Sequence, residues 1–382
     1  MNQLSRTACI VGAAESDEIG VVPNKSPLQH HAEAAYNALA DAGLSIKDVD
    51  GLFTAGYSTL VTADYMGIKP RFTDSTSVGG SSFVIHIAHA VAALNAGYCD
   101  VALVTHGQAG RSARDRDGGG LTGAGAPGPQ FESPYGFIGA PISYAMACSN
   151  YMSRYGEDRT RQAMAEIAVS TRKWALKNPR AYMKEPMSFD DYHNSRWVAW
   201  PFHLFDCCLV TDAGGAFVMT RADRARDLPK KPVYVLGAAE YHDHTIMSQM
   251  PDLTVTPAHS SGPRALAMAG MAHKDMDLTM IYDSFTYTVL ATLESLGYCG
   301  PGEGPEFVAN QRTAPGGEFA LNTSGGGLSY THPGMYGMFL VIEAVKQLRG
   351  EAGERQVNAK TALVNGTGGV LSSTGTAILA VD

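Results

Sequence analysis

No apolar run in the 382-residue chain reaches the roughly 18 residues that a membrane-spanning helix needs. The N-terminus, MNQLSRTACIVGAA, lacks the basic start and the long apolar stretch of a secretory signal. Basic residues are outnumbered, 29 against 37 acidic, and the net charge of −8 argues against a nucleic-acid-binding surface. None of the six cysteines (Cys9, Cys99, Cys148, Cys207, Cys208, Cys299) is spaced as C-x-x-C, and most lie in apolar surroundings. They are expected to be reduced and buried, without a disulfide framework. His242 and His244 have a metal-like spacing but no clustered partner, so no metal site is expected. What remains is a soluble protein, expected in the cytoplasm.

At 45% hydrophobic and 17% charged residues, the composition suits a soluble α/β enzyme of two packed domains or one large one. Short apolar β-type runs alternate with helical patterns, which predicts a parallel or mixed sheet flanked by helices. Strands are read at Thr7–Gly12, Asp100–Thr105 and Gly214–Thr220, with helices at Pro27–Ala42, Ser81–Ala96 and Ala140–Lys177. Further strands are read at Lys231–Ala239, Leu278–Tyr282, Thr361–Asn365 and Gly375–Val381. The helices among them are Gly262–Ala272, Tyr287–Leu296 and Gly337–Leu348. Strand–helix order thus recurs in two halves, expected at 1–227 and 228–382. The first carries a loop and helical insertion at about 111–205.

Two features stand out within this order. Ser81–Ala96 is apolar on nearly every side and belongs in the middle of a layered protein, with His86 and His89 as satisfied core residues. Arg111–Tyr135 holds six glycines and three prolines without periodicity, the signature of a long lid, contact or disordered loop.

Four segments in order along the chain resemble the thiolase superfamily, in its sterol-carrier-protein/lipid-transfer branch. They are Ser77–Gly97 (SVGGSSFVIHIAHAVAALNAG), Asp206–Met219 (DCCLVTDAGGAFVM), Tyr282–Gly304 (YDSFTYTVLATLESLGYCGPGEG) and Gly316–Gly350, followed by Asn365–Gly369 (NGTGG). The resemblance implies two βαβαβαββ halves stacked in five α-β-α-β-α layers, and a dimer. It also implies that a nucleophilic cysteine would stand at a strand-to-helix elbow, where a helix N-terminus lowers its pKa. Here that position is Gly80, and Ser81 and Ser82 are expected to cap the helix. Cys99 lies at the helix's far end, roughly 28 Å away, and cannot substitute. The late cysteine of biosynthetic thiolases, expected in NGTGG, is absent too.

The histidine of the family's GHP motif is present as His332, between a GGG run and Pro-Gly. Tyr282 stands where histidine is common, as in the branch's aldolases, although those carry a second tyrosine at the place of His332. The resemblance therefore implies an acyl-CoA carbon–carbon lyase, cleaving a β-hydroxyacyl-CoA by retro-aldol chemistry. His332 would act as base, Tyr282 as proton donor or relay, and Asp283 as an orienting or structural neighbour. The N–H groups of Gly80, Gly368 and Gly369 would hold the thioester oxyanion, with Gly80 leaving room for a tertiary β-carbon. No bound cofactor is expected, with a coenzyme A thioester as substrate. Arg172, Lys173, Lys177 and Arg180 form a basic cluster suited to CoA phosphates, or to a solvated helix end. Asn322 is expected to hold the glycine turn, and His203 to be structural. The rival readings are an acyltransferase with an unconventional nucleophile and a non-catalytic subunit. A small OB-fold and zinc-ribbon protein is the expected partner.

Overall fold

The computed structural model describes residues 4–112 and 126–382. The chain begins with β1 (Ala8–Glu15), α1 (Pro27–Ala42), β2 (Gly51–Thr54), α2 (Thr59–Met66), β3 (Phe72–Asp74), α3 (Ser82–Asn95) and β4 (Val101–Ala109). An inserted region follows: α4 (Pro127–Phe131), α5 (Ala140–Tyr155), α6 (Glu157–Leu176), α7 (Phe189–His193) and a hairpin of β5 (Trp197–Ala199) and β6 (Phe202–His203). Then come β7 (Asp212–Arg221) and α8 (Ala222–Ala225). The second half comprises β8 (Val233–His242), α9 (Ala258–Ala269), β9 (Leu278–Ile281), α10 (Thr286–Leu296), α11 (Gly304–Val308), α12 (Gly337–Arg349), β10 (Thr361–Gly368) and β11 (Ser373–Ala380).

The strands line up as β3-β2-β4-β7-β1-β8-β11-β10-β9. The β1–β8 join is slight, only Cys9 with Tyr234 and Ile10 with Val233, so two sheets meet along one short seam. Within the first, chain order reads third, second, fourth, fifth, first. The second repeats it in mirror sequence once the single bridge between Thr279 and Leu321 is counted as its third strand. The duplicated pattern, too faint in residue identities, is plain in connectivity.

α3 and α12 each touch strands of both sheets, and so form the middle layer. α1 covers the outer face of the first sheet and α9 that of the second, with α10 beside α9, giving five layers in all. This is why α3 is apolar all round: Phe83, Val84, Ile87 and Leu94 share one buried cluster with Phe339, Leu340 and Val341 of α12. The outer helix α1 is amphipathic instead. It opens on a Ser26–Gln29 capping box with Pro27 in the first turn, and stops at Gly43 in the left-handed conformation. The insertion shares a buried cluster with α10, through Tyr144, Cys148 and Tyr151. Among the described residues no helix is long and apolar enough to cross a membrane.

Several expectations need correction. The helix read through Ala140–Lys177 breaks at Gly156, whose φ of 105° ends one helix and starts the next. Short strands β2 and β3 escaped notice because three or four residues carry too little pattern. Of the long loop, residues 113–125 lie outside the described residues, and the rest forms α4 and a turn at Ser133–Tyr135. Only Cys9, Cys99 and Cys148 of the six free thiols are buried. His86 is buried with neither ring nitrogen in a short hydrogen bond, its Nε2 3.8 Å from Asp74 Oδ1, whereas His89 pairs with Asp74 at 2.5 Å and Glu240 at 3.3 Å.

Candidate active site

The site is built where the N-termini of the two central helices converge. Before α3 the chain turns through Gly79 and Gly80, and before α12 through Met335 and Tyr336. Contrary to the expectation from the sequence, Ser81 and Ser82 do not cap α3 in the usual way. Ser81 Oγ meets Ser373 Oγ at 2.8 Å, while Ser82 Oγ accepts from Val78 N–H at 2.9 Å and donates to the Gly79 carbonyl at 2.7 Å. Both hydroxyls therefore stiffen the elbow itself.

The room expected beside Gly80 is occupied. A Cβ on Gly80 would lie 2.1 Å from Cε2, 2.7 Å from Cζ and 2.8 Å from the hydroxyl of Tyr282. Tyr282 follows directly on β9, in the second half, and its ring fills the volume where a nucleophilic side chain would stand. A side chain at 80 and this ring exclude each other.

The Tyr282 hydroxyl accepts from Tyr336 N–H at 3.0 Å and lies 2.8 Å from His332 Nε2. The backbone donor takes one lone pair of the phenol oxygen, and in the tautomer that leaves Nε2 unprotonated the phenol donates to His332. Burial pushes the phenol's pKa well above its ordinary value, with the Tyr336 N–H opposing. The N-terminus of α12 also favours charge on that oxygen. Behind the ring, the His332 backbone exchanges two hydrogen bonds with Thr211, N–H to Oγ1 at 2.9 Å and carbonyl from N–H at 3.2 Å. Thr211 lies just before β7, in the Asp206–Met219 segment, where sequence reasoning saw a motif but no role.

Asp283 sits beneath the glycine run. Its carboxylate accepts from Gly327 N–H at 2.7 Å and Leu328 N–H at 3.1 Å. Burial pushes its pKa up to about 7, with those two N–H groups pulling the other way. Gly326, at φ 61°, passes so close that a Cβ there would lie 1.9 Å from Asp283 Oδ2. The carboxylate thus shapes the turn carrying His332. Asn322 does its holding partly elsewhere: its side chain accepts from Ile281 N–H at 2.8 Å, and its backbone carbonyl from Gly325 N–H at 2.9 Å.

The NGTGG turn meets the elbow. The Gly369 amide nitrogen is 2.6 Å from where a Cβ on Gly79 would sit, and the Gly368 Cα is 3.0 Å from it. Gly80, Gly368, Gly369, Tyr282 and His332 are therefore brought together from opposite ends of the chain. Two further residues adjoin them. Cys208 lies near enough to Tyr282 and Tyr144 to act on both phenols, and the Tyr144 hydroxyl donates to the Gly369 carbonyl at 3.2 Å. Tyr144 comes from an inserted helix whose sequence carries no signal for it.

The four basic residues do not make one patch. Arg172 is buried, bonded to Ser329 Oγ at 2.9 Å and the Glu185 carbonyl at 3.0 Å. Arg180 binds the Ser16 carbonyl at 2.5 Å and approaches Glu15 at 3.8 Å. Lys173 is exposed and Lys177 half-buried. They stand at the end of α6, which reaches the glycine turn through Asn178 Nδ2 to the Ser324 carbonyl at 2.8 Å. His203 is occupied by the Ser195 carbonyl at 2.6 Å and the Trp197 ring. Among the described residues no His, Cys, Asp or Glu side chains are grouped to hold a metal ion. A shallow cleft lined by Cys299, Glu303, Glu306, Phe307 and Arg312 shares no residue with this site.

Comparison with known proteins agrees with this architecture. Residues 239–381 match the family described as thiolase C-terminal domain-like. The chain is 34% identical to the 17-hydroxy-3-oxo-4-pregnene-20-carboxyl-CoA lyase of Mycobacterium tuberculosis, over 97% of this chain and 98% of that one. The chain belongs to the thiolase superfamily, among its sterol-carrier-protein-like aldolases. A steroid side-chain-cleaving aldolase of Thermomonospora curvata is 33% identical over 98% of both chains. The structure titled Ltp2-ChsH2(DUF35) aldolase superposes with a TM-score of 0.90 at 31% identity, covering 99% of both chains. In this thiolase-like aldolase, then, the family's elbow carries glycine and a tyrosine stands in its lee.

Proposed function

We propose that the chain is a lyase that cleaves a β-hydroxyacyl-CoA by a retro-aldol reaction, without an acyl-enzyme. The observation that carries this reading is the Tyr282 phenol, hydrogen-bonded to His332, in the volume that Gly80 leaves free. The β-hydroxyl gives its proton to the Tyr282 oxygen as the phenol's proton passes to His332 Nε2. The Cα–Cβ bond then breaks, leaving a carbonyl product and a CoA enolate. The enolate oxygen is held by N–H groups of the Gly80 and Gly368–Gly369 turns, and the proton returns from the dyad to Cα. No proton is gained or lost overall. Asp283 holds the His332 turn rather than meeting substrate. The substrate class suggested by the relatives is a steroid side-chain acyl-CoA, and Lys173 and Lys177 are the basic pair free to meet its nucleotide phosphates.

A homodimer through the outer edge of β3 is supported by that strand's terminal place in the sheet, with Leu60, Val61, Tyr65 and Tyr98 exposed. An OB-fold and zinc-ribbon partner is supported by the exposed apolar row Phe131, Tyr135, Ile138, Ile142 and Met146. Work in the cytoplasm suits six thiols of which none is paired.

The test is incubation with β-hydroxyacyl-CoA and β-ketoacyl-CoA thioesters, with and without such a partner, followed by intact mass. Release of a ketone or aldehyde with an unmodified protein is the expected result. Cleavage of the β-keto substrate that depends on free CoA, with an acyl group on Cys208, would instead establish an acyltransferase.

A further inference from the structure

The turn Gly368–Ser372 is an awkward piece of backbone. Gly369 has φ 61° and Leu371 φ 55°, and the left-handed conformation costs a leucine about 1–2 kcal/mol. Such a turn persists only where its surroundings over-determine it. Three carbonyls of the turn are held. Gly368 accepts from Ser372 N–H at 3.1 Å, Val370 meets His244 Nε2 at 2.9 Å, and Gly369 accepts from Tyr144 at 3.2 Å. His244 is itself paired with Asp243.

Of these holds, the one from Tyr144 reaches the residue whose amide faces the elbow. The Tyr144 hydroxyl also contacts Ser284 and the Leu371 backbone, and its ring packs on Phe285 with centroids 4.6 Å apart. A single phenol thus ties the left-handed pair, Gly369 and Leu371, to the segment just after Tyr282. Burial pushes its pKa up to about 12, so it stays a hydrogen-bond donor through the neutral range.

We infer that Tyr144 is a positioning residue, which sets the Gly369 amide for the oxyanion relative to the Tyr282–His332 dyad. It makes the inserted region part of the catalytic apparatus although no inserted residue need touch the reacting atoms. The inference rests on the proposed function for its kinetic half only, because the clamp on the turn is present whatever the reaction.

Tyr144→Phe tests it, since the ring and its packing remain while the hydroxyl is lost. Amide exchange at Gly369–Ser372 should quicken severalfold, and kcat should fall about tenfold. KM should stay within about twofold and the pH profile unmoved. Ser284→Ala, which removes a second partner of the same phenol, should show a weaker version of both effects and serves if Tyr144→Phe does not fold. Unchanged exchange overturns the inference, with or without a loss of kcat, and so does quickened exchange with full kcat. Should the native protein cleave no β-hydroxyacyl-CoA at all, the functional reading falls. Exchange alone then decides the clamp, quickened supporting it and unchanged overturning it.

Discussion

The two halves share one strand order and one central helix each, yet the turns before those helices do opposite work. Ahead of α3, Gly79 and Gly80 offer backbone and empty space. Ahead of α12, Tyr336 offers an N–H to the Tyr282 hydroxyl, and the preceding turn delivers His332. The Tyr282 phenol therefore reaches from the second half into the first half's elbow. A fold built on paired helix N-termini keeps two electrostatically favourable points. A reactive side chain can be supplied to either of them from strands of the other half.

The sharpest way to break that comparison is to give the elbow its side chain back. Gly80→Ala puts a Cβ 2.1 Å from Tyr282 Cε2. Turnover should fall by roughly 10³-fold or more, with stability down by about 1–3 kcal/mol, read by kinetics and thermal melting. Normal turnover would mean that the ring's placement is immaterial. Next, Tyr282→Phe keeps the ring that fills the elbow but removes the relay, so a loss of roughly 10²-fold in kcat with little change in melting temperature is expected. A silent Tyr282→Phe would return the chemistry to His332 alone.

The smallest effect concerns the turn behind His332. Asp283 has a folded-state pKa raised from 3.8 to about 7. A raised acid binds its proton more tightly in the folded state, so its contribution to stability is complete below the unfolded value and is lost as pH rises through the folded one. Asp283→Asn should therefore flatten the fall in melting temperature between about pH 4 and 7, with about a tenfold loss of kcat. A native-like slope in the variant would assign the pH dependence to other groups.

Much of the fold was legible beforehand. Apolar runs ending at glycine mark strands, and the all-round apolar Ser82–Asn95 could only be an inner helix. Residue 227, the expected boundary between halves, lies between α8 and β8. Legible in part was the site. His332 and Tyr282 stood in motifs, whereas Thr211, Tyr336 and Tyr144 act through backbone contacts or from distant helices, and no local pattern marks such partners. The basic cluster misled because neighbours on a helix point different ways: Arg172 turns inward to Ser329 while Lys173 meets solvent.

By itself, the sequence determined the layer order, the absence of a cysteine at the elbow and the presence of a histidine and a tyrosine in the places that matter. The alternation of strands and helices follows from periodicity, a property of short segments. The layer order, the elbow position and the places of the two side chains follow instead from the resemblance of the motifs to the thiolase superfamily. Only the tertiary structure decided that the vacancy at Gly80 is filled, that the phenol filling it is wired to His332, and that an inserted helix clamps the turn beside it. The reason is steric and long-range. Volume left by one residue can be claimed by any side chain the fold brings near, and Tyr282 arrives from the other half of the chain.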